Sequence, residues 1–160
     1  MPHFKDTEQR VFWLDPADTP RAGLTPITDA QATALMRPAL ASRKAALAEA
    51  LKRRRDAAIE AGVTVPGIGT FDSDLASRTN INGSVVMALI AQQAGQAFSM
   101  PWKLADNSMA TLDAAKMIAA GLAVGRYVAA AHANAQALGA AIRTANSHSA
   151  LDAINIDGGW

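Results

Sequence analysis

The sequence predicts a mainly α protein with small β-hairpins, an α+β chain whose long C-terminal helix carries a heptad-like seam and packs in a helical bundle or an intersubunit coiled coil. Three observations lead there. Half of the 160 residues are apolar, but alanine supplies much of that half and aromatics only 5%, which suits close-packed helix seams better than a sheet-built core. Two stretches rich in glycine, β-branched or turn residues, "VTVPGIGTFDSD" and "MPWKLADNSMATLD", punctuate the helical segments. From Thr111 to about Asn146 the chain reads as one uninterrupted helix.

The elements follow in order. Pro2–Phe4 and Val11–Leu14 flank a polar turn and read as a small hairpin, and "DPADTPRAGLTP" after it reads as a loop. Thr28 and Gln31 form a capping-box pattern that starts a helix, with Ile27 as the apolar residue just before. Pro38 breaks that helix and can open the next, which ends at Gly62 as a C-cap and sets Leu40, Leu47 and Leu51 on one face. A glycine hairpin follows, then a helix over roughly Leu75–Phe98 capped by Asp72 or Ser73, with Asp74 in its first turn. The second hairpin places strands near Trp102–Leu104 and Met109–Leu112 around the turn Asp106-Asn107-Ser108.

The last helix, N-capped by Thr111, would be on the order of 50 Å long. Its seam runs Met117, Gly121, Val124, Val128, Ala131, Ala135, Leu138, Ile142 and Ala145, in alternating steps of four and three. Two readings are open: a face buried in the chain's own core, or a seam between subunits. The organisation expected is a β leader with a Pro-rich loop over 1–27, a helical connector with a basic stretch over 28–62, and a hairpin-helix-hairpin-long-helix domain over 63–160.

Composition removes whole classes of chemistry. There is no cysteine, so disulfides, thiol catalysis and thiolate metal sites are excluded. "MPHFKDTEQRVFWLD" lacks the apolar core of a signal peptide, and no run reaches the roughly 18 consecutive apolar residues of a membrane span. The expectation is a soluble protein made in a cytoplasm, with no membrane partner. Charge is near balance at +1, but Arg37–Arg55 holds seven basic residues against the single acid Glu49. That segregation marks a contact surface; a solvated face or an acidic protein partner is preferred to nucleic acid, because interleaved aromatics and a recognition motif are missing.

The stretch "GIGTFDSDLASRTNINGS" has the look of a ligand loop and fails each test. A dinucleotide fingerprint has its third glycine where Asp72 stands, a Walker loop would need Gly-Lys-Ser/Thr, and a calcium loop has Ala76 at its fifth position. His3, His132 and His148 are far apart, and no nucleophile-base grouping appears. The residues therefore point to no catalytic site, no cofactor and no metal. The interaction residues expected are Met117, Val124, Val128, Leu138 and Ile142 on the seam, with Arg53, Arg54 and Arg55 on the basic helix.

From Arg53 onward, "RRRDAAIEAGVTVPGIGTFDSDLASRTNINGSVVMA" and "WKLADNSMATLDAAKMIAAGLAVGRYVAAAHANAQALGAAI" resemble a domain of unknown function common in tailed bacteriophages and prophages. Gly67, Phe71, Asp72, Asp74, Ser77, Ile81, Gly83, Trp102, Asp106, Asn107, Leu112 and His132 carry the match. The leader "HFKDTEQRVFWLD … LTPITDAQATALM" resembles that of tail-fibre and tail-fibre-assembly proteins, with Ala30 where an acid is expected. The resemblance implies a non-enzymatic, tail-associated structural protein of the virion that binds fibre or tip proteins and self-associates, a trimer suiting fibre symmetry. The alternative is an assembly chaperone not retained in the virion; a nucleic-acid-binding protein and, last, a cell-wall hydrolase are more remote.

Overall fold

A computed structural model describes residues 2–15, 18 and 21–160, so the loop reading at Pro16, Ala17, Thr19 and Pro20 lies outside the described residues. The α+β expectation holds: helices dominate, and the strands form small antiparallel sheets. The chain divides into two compact units, 1–43 and 44–160, at a point inside the continuous helix α2 (Leu40–Glu60). The sequence reading had placed boundaries after 27 and 62, where composition changes.

In the N-terminal unit, β1 (His3–Lys5) pairs with β2 (Val11–Trp13) in the expected hairpin and with a third strand, β3 (Thr25–Ile27), on its other side. The third strand corrects the loop reading of that segment. Proline usually argues against a strand, but β3 is an edge, where the missing N–H of Pro26 is tolerated. The turn between β1 and β2 is held by Asp6, which accepts from the backbone N–H groups of Glu8 and Arg10 at 2.9 Å each. α1 (Asp29–Met36) starts with the predicted capping box, Thr28 and Gln31 exchanging side-chain and backbone bonds. His3 Nδ1 meets Asp29 Oδ1 at 2.8 Å and ties the sheet to α1.

α1 ends before Pro38, as expected, but α2 begins at Leu40, so Pro38 lies ahead of it and is not its first residue. α2 ends at Glu60, with Gly62 at φ +92 reversing the chain. Next come the hairpin of β4 (Val63–Val65) and β5 (Gly69–Phe71), then α3 (Leu75–Gln93). α3 stops five residues short of Phe98: Gly95 takes φ +66, and Phe98 packs on the core from outside the helix. The second hairpin, β6 (Ser99–Lys103) with β7 (Met109–Asp113), forms around the expected turn, with Asn107 in the left-handed region, but β6 starts three residues before Trp102 and ends before Leu104.

The long helix α4 (Ala114–Thr144) is capped by Asp113, not Thr111, because Thr111 and Leu112 are spent in β7. α4 is long and apolar enough, by length and average composition only, to cross a membrane, although Arg126 and Asn134 break its apolar run as expected. A short α5 (His148–Asp152) follows. α3 lies against α4, and Gly121 allows the approach: a Cβ there would stand 2.5 Å from Val85 Cγ2. Phe71, Ile81, Leu112, Met117 and Ala120 form the centre of the core, with Val63 and Val65 from the first hairpin.

Candidate functional site

The stretch that looked like a ligand loop is built mainly as a corner. Ser73, fully buried, donates to the Ile59 carbonyl at 2.6 Å and accepts from the Gly62 N–H at 2.9 Å, locking the end of α2 to the start of α3. The cap of α3 is Asp74 rather than Asp72 or Ser73; it accepts from the N–H groups of Ala76 and Ser77 and from the Ser77 hydroxyl. Hydrogen bonding to Ser77, from hydroxyl and then N–H, holds the Asp74 carboxyl below its ordinary 3.8. Phe71 and Ile81 are core residues.

Part of that stretch lines a groove of about 570 Å³ between α3 and β6. Asp72, Ser77 and Asn80 stand along one wall, Trp102 and Lys103 along the other, and the buried Ser84 lies at its base. Trp102 is backed by Phe71, ring centroids 5.9 Å apart. The groove's charged lining residues are Asp72 and Lys103, and no histidine lines it. Among the described residues no three His, Cys, Asp or Glu side chains are placed to hold a metal ion.

The seam residues divide. Met117, Val124 and Ile142 are buried by the chain itself, while Val128 and Leu138 are half-buried. The basic run also divides, as a helix requires. Arg53 is exposed, and Arg54 lies 5.4 Å over the Trp160 ring and 3.4 Å from Asp157. Arg55 bonds Asp56 at 2.6 Å. His132 is on the exposed side of α4.

Sequence reasoning missed the outer face of α3. Val86, Leu89 and Ile90 are 54%, 41% and 60% exposed, Leu75 is 70% exposed, and Leu122 on α4 is 54% exposed. The signal was available: "VVMALI" is six consecutive apolar residues, and a helix can turn only about half of such a run toward one core.

Fold and surface together define a hairpin-helix-hairpin-helix domain that presents grooves and an exposed apolar helix face. The chain belongs to the family described as Domain of unknown function (DUF4376), whose model matches residues 42–156. No curated protein and no solved structure matches it.

Proposed function

We propose that this is a non-catalytic assembly protein of a bacteriophage tail, made in the host cytoplasm and retained in the virion at the fibre or tip. The observation that carries the contact role is the outer face of α3 and α4, where Val86, Leu89, Ile90 and Leu122 stay in water in the single chain. Covering such a face is worth about 25 cal/mol per Å² of apolar area, and a second surface must supply the cover. The phage tail itself is supported by the sequence resemblance of the region from Arg53 onward and of the leader.

Proteomics of purified particles tests the reading. Presence at a fixed ratio to the fibre is expected. Absence from particles, with fibre solubility lost on deletion, would make the protein a chaperone; absence with no fibre defect would remove it from the tail altogether. Self-association, with a trimer suiting fibre symmetry, is part of the proposal and is read by light scattering of the purified chain. Because Met117, Val124 and Ile142 are covered internally, self-association must use another surface than the middle of the seam.

A further inference from the structure

We infer that the groove between α3 and α4 receives an acidic amphipathic segment of a different protein, seating a carboxylate on Arg78. The inference rests on the reading of the protein as one that acts by contact, and it names the chemistry of the partner. The groove, about 380 Å³, is lined by Leu75, Arg78, Asn82, Val124, Gly125 and Val128 among others.

Three observations converge on its occupant. First, Arg78 lines the groove, and its side chain makes no hydrogen bond or ion pair among the described residues; its covered Nε is unbonded as well, so the guanidinium charge has no partner among them. The nearest carboxylate in sequence, Asp74, is one turn earlier and already engaged by Ala76 and Ser77. Second, the groove's lining carries the cation Arg78 and no carboxylate. A second copy offering the same face would set like charge against like, whereas an acidic partner is complementary. Third, the groove is open where it would otherwise be filled: a Cβ on Gly125 would meet nothing within 4 Å. A partner side chain can therefore approach the α4 backbone there.

The apolar lining favours a protein segment over nucleic acid. Phosphates alone would satisfy Arg78 but leave Leu75 and Val128 uncovered. Helical geometry continues the groove in the same direction on both sides, to Val86 one turn along α3 and to Leu122 about one turn back along α4. Both are exposed. An amphipathic helix laid along this line would bury its apolar face and present glutamate or aspartate to the guanidinium.

The test is a titration of the ¹⁵N-labelled full chain with a capped amphipathic helical peptide bearing leucines flanked by glutamates, beside its Glu→Gln counterpart. The glutamate peptide is expected to shift the Arg78 Nε–H resonance and the amides of Asn82 and Gly125, and to bind about 10- to 100-fold more tightly than the glutamine peptide. Arg78→Met should abolish that preference. Gly125→Leu should block binding with the remaining amide spectrum unchanged, since its side chain enters open space. Equal binding of the two peptides, shifts that map elsewhere, or no shift at millimolar peptide would overturn the proposal. So would the same shifts produced more readily by a DNA oligonucleotide, or by raising the concentration of the protein alone. The titration needs no phage particle, so its failure and the failure of the tail assignment are separate results.

Discussion

The C-terminal unit places Phe71, Ile81, Leu112 and Met117 at 1% exposure or less, whereas the buried apolar side chains among the described residues of the N-terminal unit are Phe4 and Ala32. The smaller unit shows local bonds, the Asp6 turn and the capping box of Thr28 and Gln31, and one longer tie between His3 and Asp29. It leaves Phe12, Trp13, Leu35 and Met36 more than a third exposed. Short chains bury too little apolar area to be held by a core alone, so local hydrogen bonds carry a larger share of their order. The matched family region, 42–156, begins almost where the unit with the large core begins.

Four changes would break or sharpen this contrast. The largest effect is expected for Phe71→Ala, which removes a fully buried ring and should lower the stability of residues 44–160 by about 3–5 kcal/mol in urea unfolding. A loss shared equally by the resonances of residues 2–37 would show that the two units unfold as one. Ser73→Ala comes next, at about 2 kcal/mol, because it strands both the Ile59 carbonyl and the Gly62 N–H. If Ser73→Ala melts like the parent, the corner is not held by that hydroxyl.

Thr28→Ala should cost about 1 kcal/mol and act on the N-terminal unit, read as faster amide exchange in α1 with α3 and α4 unchanged. Smallest is the effect of acid on α3. The folded carboxyl of Asp74 titrates below 3.8, so its contribution is present above that value and is lost as pH falls through the lower folded value. Amides of Ala76 and Ser77 should lose protection in that window, and Asp74→Asn should flatten the response. An acid response identical in the variant would assign the effect to another group.

Much of the site region was legible as structure and little of it as surface. The capping box, the Gly62 reversal and the Asn107 turn were all readable, since each is decided by a side chain and a backbone group a few residues apart. The helix caps at Asp74 and Asp113 were each misplaced by one or two residues. Several Asp, Ser and Thr side chains nearby had equal claims, and the strand pairing of β7 settled one of them. "VVMALI" was legible as too apolar for one face, but periodicity could not say which of its residues α4 would cover.

By itself, the sequence determined that this chain is helical with hairpins, where most elements start and stop, and that it lacks thiol chemistry. Those properties follow from composition and from interactions within a turn or two of chain. The tertiary structure alone decided that Met117, Val124 and Ile142 face inward and that Ser73 bonds a carbonyl 14 residues away. It also decided that Tyr127 reaches the Ala58 carbonyl across 69 residues and that Arg78 is left with a buried, unbonded Nε. Each of these depends on which distant groups the fold brings together. A helix's period says only which residues share a face; it does not rank the partners that could cover that face.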